Sequence, residues 1–184
     1  DIKEYSPSVL VVVPELLGIL LRRIKAGVVD GCPKKYKDYF INSISEGLSK
    51  VPVAIRLAIK SKVKKVLGGR LRLFIVGAAE LAPYIVNDFT ALGIRTLQGY
   101  GLTECSPLLA GNSDFYFNPY STGIAIPGVE LKIFEPNVEG VGEIIARGEN
   151  IMLGYYNDEE ASKNAIRDGW FHTGDLGKLE PDGA

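Results

Sequence analysis

The sequence predicts an α/β fold: a parallel-sheet αβα portion followed by a small antiparallel, β-barrel-like subdomain. Two observations carry this. Up to about residue 112, short apolar β-branched runs alternate with segments of helical periodicity, the pattern of strands stacked side by side under helices. Beyond Asn112 the pattern becomes short strands of period two separated by turn residues. The division falls within residues 112–122, so we expect an αβα portion over 1–115 and the second subdomain over 116–184.

In order, Val9-Leu10-Val11-Val12-Val13 reads as a buried strand ended by Pro14, which suits the first turn of a helix. Leu16, Leu17, Leu20, Leu21 and Ile24 recur at helical spacing, with Gly27 as the expected stop. Pro33 opens a helix through Tyr36, Phe40, Ile44 and Leu48. Pro52 opens another, over 52–67, with Ile55, Ile59, Val63, Val66 and Leu67 on one side and Lys60, Lys62, Lys64 and Lys65 around the rest. A basic amphipathic helix is either a solvated face or a contact for an anionic membrane surface.

Leu71-Arg72-Leu73-Phe74-Ile75-Val76 is the next strand and runs into Gly77-Ala78-Ala79, small residues that let a flat ligand lie on the backbone or simply serve the turn. A helix over 81–92 and a strand over 94–98 follow. They lead to Gly99-Tyr100-Gly101-Leu102-Thr103-Glu104. A right-handed crossover would put residues 77–79 and 99–104 on one rim of a parallel sheet, where ligands of open α/β folds bind. Gly99 and Gly101 permit close approach, Tyr100 offers a flat face, the Thr103 hydroxyl can donate to phosphate, and Glu104 is a hard oxygen ligand. These residues describe either a nucleotide–metal corner or a Gly-rich turn with a helix cap at Thr103.

In the second part, residues 129–134 alternate and residues 142–148 form another strand. Asn157 caps a short helix, and Trp170-Phe171-His172-Thr173 and residues 176–179 read as two further strands. Trp170 and Tyr155 are expected in the core.

Composition narrows the function. A net charge of −1 gives no footprint for nucleic acid. Cys32, Cys105 and the single His172 make no metal pattern, which leaves free thiols in a reducing cytoplasm. Cys105 has no neighbouring His to activate it and reads as packing. No apolar run is long enough to cross a membrane. The chain begins at Asp1, its only methionine is Met152, and residues 181–184 form a hairpin turn with no second strand, so the sequence reads as cut at both ends.

Four segments together carry a resemblance: Phe74-Ile75-Val76-Gly77-Ala78-Ala79-Glu80-Leu81; Gly99-Tyr100-Gly101-Leu102-Thr103-Glu104; Gly142-Glu143-Ile144 on to Gly148 and Gly154-Tyr155-Tyr156-Asn157; and Gly169-Trp170-Phe171-His172-Thr173-Gly174-Asp175. In this order and spacing they resemble the AMP-forming acyl-adenylate family of acyl-CoA synthetases, luciferases and adenylation domains. The match is tight over about residues 70–184. The basic segment before it is similar to bacterial long-chain fatty acyl-CoA synthetases.

The resemblance implies an acyl-CoA synthetase-like N-terminal domain and a ligase that uses ATP and Mg²⁺ to make acyl-AMP from a fatty acid, then transfers the acyl group to coenzyme A. It assigns Thr103 to the α-phosphate, Glu104 to Mg²⁺, Tyr100 to adenine and Asp175 to the ribose hydroxyls. Gly77, Ala78 and Ala79 form a wall on the adenine and acyl side, with Gln98, Gly99 and Gly101 bordering it. His172 receives no role. Glu80 departs from the family's usual strand ending and is expected to begin the next helix. The family's phosphate loop, hinge and C-terminal lysine have no match, so these residues alone are expected to be inactive. The rival readings are activation of an aryl or amino acid for a carrier protein, and a non-catalytic nucleotide- or lipid-binding module. A cytoplasmic location follows, with peripheral contact at the inner membrane face through the basic helix.

Overall fold

The computed structural model describes residues 2–31 and 37–184. The expected helix start at Pro33, with Tyr36 and Cys32, lies outside the described residues. Packing divides the chain into two compact units, Asp1–Gln98 and Gly99–Ala184.

In the first unit, α1 (Ile2–Tyr5) precedes β1 (Val9–Val12), α2 (Pro14–Asp30), α3 (Lys37–Ser45), α4 (Val53–Val66), β2 (Leu73–Val76) and α5 (Pro83–Ala91). The strand β3 (Arg95–Tyr100) passes out of this unit after Gln98. The three strands are parallel, with Val12 opposite Val76 and Val76 opposite Gln98. This is the expected α/β arrangement with a parallel sheet, but the run at 9–13 is buried on one side only: Val11 is 74% and its neighbour Ile75 41% exposed on the other face. The β-branched runs form these strands because their side chains pack well on a pleated surface, here covered by helices on the face of Val12, Phe74 and Val76.

The core joins Leu17 and Leu21 of α2, Ile59 and Val63 of α4, Phe74 and Val76 of β2, and Val86 and Phe89 of α5. The rings of Phe74 and Phe89 meet edge to face, with centroids 5.0 Å apart. One charge enters this core. Asp88 is buried, its Oδ2 lies 2.7 Å from Lys25 Nζ, and its Oδ1 accepts from the Leu48 N–H at 2.6 Å. The carboxylate is thus paired and hydrogen-bonded, the condition for keeping a charge away from water.

Three expectations about helix ends are corrected. α2 runs through Gly27 to Asp30, and the Gly31 N–H closes on Gly27 O at 3.3 Å. A glycine inside a helix costs only about 0.5–1 kcal/mol, and Val28 and Val29 beyond it still pack on the core. Glu80 is exposed and lies before α5, which starts at Pro83 where the fixed φ of proline favours the first turn. In the second unit the short helix α6 (Glu159–Ala165) is capped by Asp158, whose Oδ1 accepts from the Ala161 N–H at 2.9 Å, and not by Asn157.

The second unit starts with the last two residues of β3. Gly99 and Tyr100 pair antiparallel with β4 (Ala110–Gly111), which pairs with β5 (Ile124–Ala125). A four-stranded antiparallel sheet follows, built from β6 (Val129–Phe134), β7 (Gly142–Gly148), β8 (Ile166–Arg167) and β9 (Trp170–Gly177) in the order β6-β7-β9-β8. The two short strands expected at 170–173 and 176–179 are one strand, β9, interrupted by a bulge. The buried core here is small: Cys105, Leu109, Ala146 and Phe171.

Candidate active site

Two glycines let β3 turn into the loop that follows. A Cβ at Gly101 would fall on Pro107 O and within 2.8 Å of Leu108 Cα, and one at Gly99 would come within 2.9 Å of Leu108 Cδ1. The loop therefore folds back on the end of β3 at a distance only glycine allows. The turn Thr103–Cys105 is a single 3-10 turn whose N-cap residue is Leu102, so Thr103 lies inside it and is not its cap. Behind it, Asn150 Nδ2 donates to Cys105 O at 2.8 Å and to Leu108 O at 2.9 Å, and the Met152 N–H donates to Glu104 O at 2.7 Å. The backbone carrying Thr103 and Glu104 is thus tied down on both sides.

Four side chains of this unit come together in pairs. The Tyr100 hydroxyl donates to Asp175 Oδ2 at 2.8 Å, across 75 residues of sequence. The Tyr155 hydroxyl donates to Glu104 Oε1 at 3.0 Å, across 51 residues. Burial pushes the Tyr100 phenol well above the ordinary tyrosine range. The Asp175 hydrogen bond and charge push the same way, while the Thr173 hydroxyl pulls against them. Tyr155 is also raised, chiefly by its bond to the Glu104 carboxylate. Both phenols stay protonated and serve as donors that orient a carboxylate. Thr103 and Asp175 are exposed.

Cys105 is fully buried, and burial pushes its thiol up to about 11, with the Glu104 charge adding to the rise. It packs, as expected, and is no nucleophile at neutral pH.

The remaining expected site residues lie in the first unit. Gly77, Ala78 and Ala79 follow β2, and the buried Gln98 stands opposite Val76 on the neighbouring strand. Ala78 has φ +73°, a left-handed conformation that costs a residue with a Cβ roughly 1–2 kcal/mol. Such outliers cluster where backbone is shaped for a ligand.

Sequence reasoning missed three participants. Tyr155, expected in the core, is 41% exposed with its hydroxyl on Glu104. Trp170, also expected in the core, carries two cations at its ring, Lys132 Nζ at 4.4 Å and Arg147 Cζ at 4.7 Å from the centroid. His172, given no role, has Nδ1 2.7 Å from Glu143 Oε2. No local signal marks these partners, because each comes from a distant element.

A hard divalent cation fits the donor set. Glu104 supplies one anchored carboxylate, and no group of three or more His, Cys, Asp or Glu is assembled for a metal among the described residues. One protein carboxylate plus phosphate oxygens and water is the usual coordination of Mg²⁺. No helix of the described residues is long and apolar enough to cross a membrane.

Residues 1–156 match the family described as AMP-binding enzyme. The chain is 32% identical over its whole length to long chain acyl-CoA synthetase 4 of Arabidopsis thaliana, of which it covers 30%. It is 37% identical to the long-chain-fatty-acid–CoA ligase ACSBG1 of Bos taurus, with 72% of this chain and 19% of the relative aligned. The chain therefore spans under a third of the length of these relatives. Among solved structures, an ATP-bound chimera named RpMatB-BxBclM B3 superposes with a TM-score of 0.63 at 27% identity, covering 96% of this chain and 29% of the chimera.

Proposed function

The chain belongs to the AMP-binding enzyme family, and we propose that it forms the adenylate-binding part of an ATP-dependent, AMP-forming ligase that activates a long-chain fatty acid and passes it to coenzyme A. The observation that carries this is the Tyr100–Asp175 hydrogen bond. It joins, across the length of the second unit, the aromatic residue suited to a nucleobase and the carboxylate suited to a ribose. The names of the aligned relatives support a fatty acid as substrate, and the ATP-bound structural neighbour supports the nucleotide.

In this reading the face of Tyr100 stacks on adenine while its hydroxyl holds Asp175. The ionised Asp175 carboxylate accepts from the ribose hydroxyls. The exposed Thr103 hydroxyl donates to the α-phosphate, and Glu104, held in place by Tyr155, ligates Mg²⁺. The metal supplies neutralisation of phosphate charge, the term that most assists attack by an anionic carboxylate. Thr103 and Glu104 sit on a loop fixed by the Asn150 and Met152 hydrogen bonds, so their orientation precedes binding.

The division into an αβα portion over 1–115 and a β-barrel-like subdomain over 116–184 belongs to the same proposal. So do the cytoplasmic location and a contact of α4 with anionic membranes, which flotation with anionic vesicles at low and high salt would test. The test of the activity uses the full-length protein carrying this sequence. Palmitate, ATP, Mg²⁺ and coenzyme A should yield AMP, pyrophosphate and acyl-CoA. Release of ADP, or AMP formation that no fatty acid stimulates, would overturn the reading.

A further inference from the structure

We propose that Glu143 is a positioning residue for Asp175, acting through the β-bulge it clamps and without touching nucleotide itself. This rests on the assignment of Asp175 to the ribose. The bulge is read from the register of β7 and β9. Glu143 stands opposite Leu176 and Ile145 opposite His172, so Thr173, Gly174 and Asp175 of β9 face Ile144 alone. Bulges of this kind re-aim a side chain beside a functional site. Here the re-aimed side chain is Asp175, brought within 2.8 Å of the Tyr100 hydroxyl.

Four contacts outside the ladder hold the bulge open, and Glu143 makes two of them. Its Oε1 accepts from the Gly174 N–H at 3.0 Å and its Oε2 lies 2.7 Å from His172 Nδ1, so one carboxylate joins the middle of the irregular stretch to the paired residue before it. An ionised carboxylate only accepts, which places the ring proton on Nδ1. Arg167 Nη2, at 3.7 Å from Oε2, adds a cation. Burial works against this charge, but the His172 and Gly174 hydrogen bonds and the His172 and Arg167 charges outweigh it and hold the Glu143 carboxyl below the ordinary glutamate range. Alongside, the Thr173 hydroxyl donates to Ile144 O at 2.7 Å and accepts from the Asp175 N–H at 3.1 Å. Gly174, at φ +75°, supplies the left-handed turn between them. Glu143 thus fixes the Thr173–Gly174 peptide, one residue ahead of Asp175.

The test pairs a local and a catalytic readout. In Glu143→Ala, the Gly174 amide loses its acceptor and should exchange at least ~10-fold faster by NMR. In the full-length protein, the kcat/KM preference for ATP over 2′-deoxy-ATP should fall ~10-fold in the same variant, the size typical of a lost orienting partner. Glu143→Gln should regain part of that preference, because its amide can serve both Gly174 and the other His172 tautomer. Glu130→Ala, which breaks the Arg147–Glu130 pair on the same sheet, should leave the preference unchanged. Unaltered Gly174 exchange in Glu143→Ala would overturn the clamp whatever the nucleotide does. An equal loss with both nucleotides would overturn the positioning role. A wild-type protein indifferent to the 2′-hydroxyl would instead sink the ribose assignment, and the proposal with it.

Discussion

The two units hold themselves together by different means. In Asp1–Gln98 the buried residues form one large apolar cluster, crossed by the Lys25–Asp88 ion pair. In Gly99–Ala184 the buried cluster is only Cys105, Leu109, Ala146 and Phe171, and side-chain hydrogen bonds between distant segments do much of the joining. Apolar burial is non-directional, so it fixes that elements meet more than how their atoms align. Hydrogen bonds are directional, and a network of them specifies angles and distances. The first unit is built for stability and the second for placement.

Four experiments bear on this contrast. The largest effect is expected from Phe74→Ala, which empties the middle of the apolar cluster and should cost about 3–5 kcal/mol in urea denaturation. Trp170, the only tryptophan, reports on the second unit by fluorescence, while far-UV circular dichroism is weighted toward the helices of the first. Coincident transitions by the two probes would erase the distinction; separated ones would sharpen it.

Next is Glu104→Gln, which removes the carboxylate charge and almost no volume. It should lower ATP–pyrophosphate exchange in the full-length protein by ~10²-fold while leaving the urea midpoint close to wild type. Exchange at the wild-type rate would remove Glu104 from metal binding.

A smaller effect concerns pH. The folded Glu143 carboxyl titrates below its unfolded value, so its contribution is present above the ordinary glutamate range and is lost as pH falls through the folded value. The second unit should lose stability on acidification, and Glu143→Gln should flatten that slope in Trp170-monitored melts. The smallest effect is at Ala78, whose φ of +73° suits glycine. Ala78→Gly should stabilise the first unit by less than about 1 kcal/mol, and a loss of stability would mean that the Ala78 methyl makes a contact worth more than the strain.

The same contrast explains what could be read from residues alone. β1, β2 and β3 were legible because apolar, β-branched runs between helices favour strands, although the run at 9–13 read as fully buried and Val11 is exposed. β6 was legible because strict alternation fixes its faces, and β7 as the strand beyond the turn residues at 135–140. The run from Gly99 to Glu104 was legible through its own residue types. The partners were not. Tyr155 looked like any aromatic in a β segment, and only folding brings it to Glu104. The bulge in β9 was invisible for the same reason, since it is a relation between two strands; Trp170–Thr173 and 176–179 therefore read as separate strands. The helix ends at Gly27 and Asn157 misled because glycine and asparagine permit a boundary without requiring one.

The buried thiol of Cys105 has a practical consequence. It is held protonated to about pH 11 and sealed from solvent, so alkylating reagents reach it only when the loop carrying Thr103 and Glu104 comes away. With Cys32 replaced by serine, Cys105 is the sole thiol in the sequence. Its labelling rate becomes a clock for how often that loop opens. A nucleotide that engages the loop should slow the clock, and this is measurable without catalysis, radiolabel or any dye beyond the thiol reagent.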